Sequence, residues 1–393
     1  MEKVFLIDGV RTAFTAFGGS FAGVKTTDLG IATAEEALRR SEVDPEEVDH
    51  VIYGNVIHSE TNAAYIARHI GLKVGVPKEV PAYVLNRLCG SGLQSIVSGV
   101  HEILLHDAEI VLAGGVENMS QAPYSNFEKR FGGPKTGDLQ FHDMLLASLF
   151  DGYTGFGMGV TAENLAERYG ITREEQDEFA VLSHKRAAKA RESGRFREEI
   201  VPVEVPSRKQ TLTIEEDEHI RPDTSTEKIS HLRPSFKKDG TVTAANASGI
   251  NDGAASVVVA SERAVREKNL KPLAEIVSWA VAGVDPTIMG IGPVPAMKKA
   301  LETAELTLDD MDIIEVNEAF AAQYLAVEKE LGLDREKTNV NGGAIALGHP
   351  VGVSGTRLAL TAAYELRNRD KQYALVSLCI GGGQGIAMVL RKA

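Results

Sequence analysis

The chain has 393 residues, of which 43% are hydrophobic and 25% charged, and its formal net charge is −13. This length exceeds one ordinary domain, the balance suits a globular protein with a full core, and the acidic surplus argues against nucleic acid as a main partner, because phosphate binding needs a basic surface. Two cysteines cannot form a disulfide framework here, none of the residues show metal-ligand spacing, and no segment approaches membrane-span length, so the reading is a protein of the reducing cytoplasm with no metal and no membrane contact.

In chain order, strand-like runs alternate with helical ones, which points to α/β layers. The expected strands are "KVFLID", "VDHVIYG", "AEIVLAGG", "ASVVVAS", "LAEIVSWAVAG", "MDIIEV", "YALVSLCI" and "GIAMVL". Helices are expected after Thr27, Gly90, Pro293, Glu318 and Gly352. "TREE", Thr172 to Glu175, reads as a capping box opening a long charged helix to about Ser193.

Two stretches repeat at one offset. "ALRRSEVDPEEVDHVI" from Ala37 and "ALETAELTLDDMDIIE" from Ala300 lie 263 residues apart and align Asp49 with Asp312. The same offset aligns Ser91-Gly92 with Ser354-Gly355, which suggests duplicated halves rather than chance. It also aligns Cys89 with Gly352 and Asn86 with His349, so equivalent turns would carry different side chains. Residues 121–250 have no counterpart and read as an insertion, between a first half of 1–120 plus 251–271 and a second half of 272–393.

Four residues could do chemistry. Cys89, in "VLNRLCGSGLQSI", sits where an apolar lead-in turns into a helix, and a helix N-terminus lowers a thiol pKa. The competing reading is a small buried hydrophobe. Asn317, in "EVNEAFA", reads equally as an N-cap or as a holder of a water or an imidazole. His349 lies in the glycine-rich "NGGAIALGHPVGVSG", which lacks the Lys-Ser/Thr ending of a P-loop and offers a base for a thiol. Cys379 ends a strand before "CIGGGQG", whose free backbone N–H groups could form an oxyanion hole. All four are expected at or just beyond strand C-termini, where open α/β sheets bind ligands.

"NRLCGSGLQSI", "VNEAFA", "GGAIALGHPVGVSG" and "CIGGGQG", in this order and spacing, resemble the four motifs of the thiolases. "AGGVENMS", "MGVTAENLA" and "GTVTAANASGINDGAA" fit the same family, and the resemblance spans nearly the whole chain. It implies a duplicated α-β-α-β-α layered fold with an inserted loop domain, and acyl transfer between CoA thioesters without a further cofactor. Cys89 would carry the acyl group, His349 would take its proton, and Cys379 would move the α-proton of acetyl-CoA. His349 and a water on Asn317 would form one oxyanion hole, and the backbone N–H groups of Cys89 and Gly381 the other.

The insertion resembles the loop domain that covers CoA. Arg221 and Lys228 match positions near the nucleotide, with solvated surface charge as the alternative, and Ser248 matches a pantetheine contact. Met158, Phe236 and Phe320 match positions near the acyl group. Gly157 stands where short-chain biosynthetic relatives carry histidine. The expected reaction is acetoacetyl-CoA formation from two acetyl-CoA, with longer 3-ketoacyl-CoA thiolysis, as in fatty acid β-oxidation, as runner-up. "EHIRPDTSTEKISHLRPSFKKDG" resembles that degradative branch. The resemblance also implies a homodimer, or a homotetramer paired through residues 125–151. The rivals are a ketosynthase-like enzyme, a non-catalytic acyl-CoA carrier and a cysteine hydrolase.

Overall fold

The computed structural model describes residues 2–206 and 210–393. Nine strands run through the main sheet: β1 (Val4–Arg11), β2 (His50–Gly54), β3 (Ala82–Leu85), β4 (Ile110–Asn118), β5 (Asn251–Ser261), β6 (Ala274–Gly283), β7 (Ile313–Val316), β8 (Tyr373–Ile380) and β9 (Gln384–Lys392). Their order is β7-β8-β9-β6-β1-β5-β4-β2-β3, and the short strand Thr15–Ala16 adds a tenth against β5. The principal helices are α1 (Thr26–Ser41), α2 (Ser91–Leu104), α3 (Met158–Tyr169), α4 (Arg173–Glu192), α5 (Pro293–Ala304), α6 (Ala321–Leu331) and α7 (Ser354–Asn368).

The order is symmetric about the β6–β1 junction. On each side two antiparallel pairings lead outward to a parallel one: β1–β5, β5–β4 and β4–β2 in the first half, β6–β9, β9–β8 and β8–β7 in the second. The halves meet through Val4↔Ile276, Phe5↔Glu275 and Leu6↔Ala274. Strand alternation then separates the layers. Val376 and Leu378 of β8 join Val257 and Val259 of β5 in an inner core filled by Leu93, Ile96, Leu358 and Leu360 of α2 and α7. Leu375 and Cys379 face the opposite way, toward Met297 of α5 and Tyr324 of α6. Helix α1 covers the outer face of the first half through Leu29 and Leu38. The result is the expected α-β-α-β-α layering, in which helices cover the faces of the sheet.

The repeat has a physical cause. Asp49 Oδ2 accepts the N–H groups of Glu109 and Ile110 at 2.8 and 3.0 Å, and Asp312 Oδ2 accepts those of Gln372 and Tyr373 at 2.9 and 3.2 Å. Each aspartate ties the start of one strand to its parallel neighbour. Gly92 and Gly355 sit where α2 and α7 cross. A Cβ on Gly92 would lie 2.8 Å from Thr356 N, and one on Gly355 would overlap Leu93 N.

Helices α3 and α4 lie in the segment between β4 and β5. The capping box is present, with Thr172 Oγ1 accepting from Glu175 N and Glu175 Oε2 accepting from Thr172 N. Buried Arg11 of β1 anchors this segment through Glu199 and Asp217, at 2.8 and 2.7 Å. One boundary differs from expectation. The helix expected after Glu318 begins at Ala321, with Phe320 at its N-cap. Asn317 and Glu318 therefore lie in the preceding loop, and Asn317 is not a helix cap. Among the described residues no helix is long and apolar enough to cross a membrane.

The crossing predicts that Gly355→Ala, which forces a methyl group into the α2 backbone, costs about 1–3 kcal/mol. A thermal scan checks this, since an unchanged midpoint would mean that the helices do not touch there.

Candidate active site

Strand β3 ends at Leu85, and the chain must turn sharply to enter α2 at Ser91. Asn86 Oδ1 accepts the Leu88 N–H at 2.9 Å, and Ser91 Oγ accepts from Arg87 N while donating to Leu88 O. Leu88 takes a left-handed conformation with φ of 47°, a strained setting for a leucine. Gly90 is required because a Cβ there would lie 2.5 Å from Ile380 Cδ1. The turn presents a half-buried Cys89. The backbone N–H groups of Gly381 and of Cys89 itself lie against its sulfur and favour the thiolate, but burial outweighs them and pushes the thiol up to about 11. The expectation of a lowered thiol pKa is thus corrected, because desolvation of the charge exceeds the pull of the helix N-terminus.

The His349 loop is held through backbone N–H groups by buried side chains. Ile345 N donates to Glu318 Oε2 at 3.2 Å, His349 N to Asn251 Oδ1 at 3.0 Å, and Gly352 N to Glu117 Oε2 at 3.0 Å. Ser354 Oγ lies 2.6 Å from His349 Nδ1 and 3.1 Å from Pro350 O. The carbonyl only accepts, so the single hydroxyl proton goes to it and Ser354 Oγ accepts from Nδ1–H. Nε2 is left with its lone pair. Burial, helped by the Arg357 guanidinium, pushes His349 down to about 4. The ring is therefore neutral at pH 7, with Nε2 as the basic nitrogen. Unlike the other three residues, His349 follows the short helix Ala344–Leu347 rather than a strand.

Asn317 follows β7 directly and is fully buried. Its Nδ2 lies 3.4 Å from His349 Nε2 and 3.5 Å from Nδ1, while its Oδ1 is buried without a protein partner. Cys379, near the end of β8, is also buried. Burial and the neighbouring Cys89 thiol hold it far above the ordinary thiol range. Gly381 opens the three-glycine turn into β9, in which Gly382 and Gly383 have φ of 78° and 83°.

The structure groups three of the expected substrate residues beside this centre. A Cβ on Gly381 would lie 3.3 Å from Met158 Sδ. The Phe236 ring fills the space above Gly159 and meets Phe320 edge to face at 5.9 Å. Ser248 N–H donates to Ala319 O at 3.0 Å, which joins Ser248 to the Asn317 loop. Arg221 is exposed, and its backbone N–H is bonded to His184 Nδ1 at 3.2 Å. Lys228 is less available than expected, since its ammonium is bonded to Asp223 Oδ2 at 2.8 Å.

Four contributors went unnoticed in the sequence: Glu117, Asn251, Ser354 and Arg357. Ser354 was visible only as a repeat match with Ser91, and Glu117 only as a letter in "AGGVENMS". The arrangement supplies a thiol nucleophile, a neutral imidazole base, a second thiol and backbone N–H groups aimed at the first sulfur.

Comparison with known proteins matches residues 4–263 to the thiolase N-terminal domain and residues 270–392 to the thiolase C-terminal domain. The mitochondrial 3-ketoacyl-CoA thiolase of Homo sapiens is 53% identical over 392 residues, covering 100% of this chain and 99% of that protein. The acetyl-CoA acetyltransferase of Cupriavidus necator is 49% identical over 394 residues, covering 100% of both. The crystal structure of the human mitochondrial 3-ketoacyl-CoA thiolase in complex with CoA superposes with a TM-score of 0.96, at 53% identity, over 100% of this chain and 98% of that one.

The high thiol and low imidazole pKa values predict that alkylation of Cys89 by iodoacetamide keeps accelerating beyond about pH 9. A plateau reached near about pH 8 would contradict the buried neutral pair.

Proposed function

The chain belongs to the thiolase family of acyltransferases, and from that premise we propose that it cleaves a 3-ketoacyl-CoA with CoA, reversibly, through an acyl thioester on Cys89. The observation that carries this reading is the meeting of the Cys89 sulfur with the Cys379 thiol and the Gly381 N–H, with a neutral His349 on the turn that the α2–α7 crossing brings alongside. Cys89 attacks the 3-keto carbon while its proton passes to His349 Nε2. The bond between the α- and β-carbons breaks, and the electron pair forms the enolate of acetyl-CoA. Cys379 protonates that enolate at carbon, and the imidazole side with Asn317 stabilises its oxygen. CoA then enters, gives its thiol proton to the Cys379 thiolate and takes the acyl group from Cys89, whose departing sulfur recovers the proton held by His349. The N–H groups of Cys89 and Gly381 stabilise the tetrahedral oxyanion at each acyl step. The small molecules of the scheme are CoA and its thioesters.

The acetoacetyl-CoA preference expected from the motifs gives way here to the runner-up, a degradative thiolase of broader chain length. The support is twofold. The relatives named 3-ketoacyl-CoA thiolase are 53% identical, against 49% for those named acetyl-CoA acetyltransferase. Gly157 adds no side chain ahead of Met158, and Phe236, packed on Gly159, is 44% exposed. Ser248 and Arg221 are assigned to CoA, with Lys228 contributing only once it leaves Asp223. Subunit pairing into a dimer or tetramer has its support in exposed apolar side chains, including Tyr124, Phe127, Phe131, Phe141 and Tyr153, and in the edge position of β3.

Thiolysis kinetics across a series of 3-ketoacyl-CoA chain lengths are expected to show kcat/KM rising or holding level beyond acetoacetyl-CoA, and a steep fall would return the assignment to the short-chain class. Cys379→Ala is expected to retain acyl transfer to Cys89 and lose condensation; full condensing activity would favour a ketosynthase-like enzyme. Asn317→Ala is expected to slow turnover ~100-fold or more, and a near-normal rate would remove Asn317 from the oxyanion hole.

A further inference from the structure

Glu117 is fully buried near the end of β4, and its carboxylate is bonded on every side without a single cation. Oε1 accepts the Ile57 N–H at 3.0 Å and the Asn55 side-chain amide at 3.2 Å. Oε2 accepts the Val56 and Gly352 N–H groups, each at 3.0 Å. A carboxylate offers about four lone-pair sites, and these four donors occupy them all when the group is ionised. The donors come from both halves of the chain. Val56 and Ile57 follow β2, and Gly352 ends the His349 loop. Gly352 must be glycine, since a Cβ there would lie 2.6 Å from Glu117 Oε2. Cys89 packs into the small apolar cluster of Val56, Ile57 and Val351, the residues adjoining those same N–H groups.

We propose that Glu117 is a positioning residue that locks the His349 loop to the floor beneath Cys89, and whose charge, when ionised, adds to the burial that keeps Cys89 protonated. The first role follows from geometry. Among the side chains that pin the His349 loop, Glu117 alone also grips the floor on which Cys89 rests. The second follows from charge. The titratable groups facing Glu117 are Cys89 at the head of α2 and Asp252 on β5. Burial raises the Glu117 carboxyl to about 8, against the pull of its three backbone N–H bonds. Above that pH its charge opposes a second negative charge on the Cys89 sulfur. The proposal extends the proposed function, because it assigns Glu117 to the acyl-transfer pair.

The test uses the full chain and two variants. Glu117→Gln keeps the shape but loses the charge and one acceptor, and Glu117→Asp keeps the charge but retracts it. Cys89 alkylation by iodoacetamide is followed against pH, with the modified peptide identified by mass spectrometry, alongside kcat and KM for acetoacetyl-CoA thiolysis. Glu117→Gln is expected to lower the alkylation midpoint by about one pH unit and kcat by ~10-fold or more, with KM little changed. Glu117→Asp is expected to keep the midpoint and lose kcat. A folded Gln variant with an unmoved or raised midpoint would overturn the charge role, and an Asp variant with full kcat would overturn the loop role. If the Gln variant does not fold, a lowered midpoint in the Asp variant would overturn the proposal. Alkylation needs no turnover, so an enzyme inactive as a thiolase would still report on Glu117.

Discussion

Helices α2 and α7 cross backbone to backbone, and two glycines make that possible. Gly92 faces Thr356 and Gly355 faces Leu93, one residue along on each partner. Thr356 Oγ1 adds a bond to Gly92 O at 2.9 Å across the crossing. The contact lies in the first turn of each helix, so the two N-termini come together, and with them the turns that precede them. One turn carries Cys89, and the other carries His349. A larger residue at either glycine would push apart the two helices whose leading turns carry Cys89 and His349. The sheet is organised around the same axis, which delivers the end of β8, with Cys379 and Gly381, to the same place.

Duplication supplies the frame, and divergence supplies the chemistry. At equivalent positions the halves hold Cys89 and Gly352, Asn86 and His349. Each substitution is matched to its surroundings. Gly352 permits the approach of Glu117, and Asn86 builds the turn that exposes Cys89. The site is also largely buried, and this decides its electrostatics. A helix N-terminus is worth roughly 0.3–1 kcal/mol to an anion at an exposed site. Burial of a charge shifts a pKa by up to about 3–5 units, several times more. Both thiols therefore rest protonated and His349 rests neutral, so protons move as bonds form rather than before.

The sequence carried the symmetric parts of this structure more clearly than the asymmetric ones. Asp49 and Asp312 stood out at equal offset because both bind the strand next door by the same two N–H groups. The capping box of α4 was legible because it is a local device confined to Thr172 and Glu175. Cys89, His349 and Cys379 were legible because glycine surrounds them, and glycine marks close approach. The start of α6 was misplaced because "NEAF" has cap-like residues that the fold uses otherwise: Asn317 for His349 and Glu318 for Ser183 and Ile345. Glu117 and Arg357 were not legible, since their partners lie far along the chain and no local pattern distinguishes a buried charge from a surface one. The lowered thiol pKa was misjudged for the same reason, because desolvation depends on tertiary burial.

The most direct measurement is the identity of the residue that carries the acyl group. The enzyme is incubated with acetyl-CoA, quenched in acid and digested, and the peptides are weighed. The account predicts an acetyl increment on the peptide bearing Cys89, lost on addition of free CoA. An acetyl group on Cys379 instead, or none on either cysteine under conditions of turnover, would contradict it.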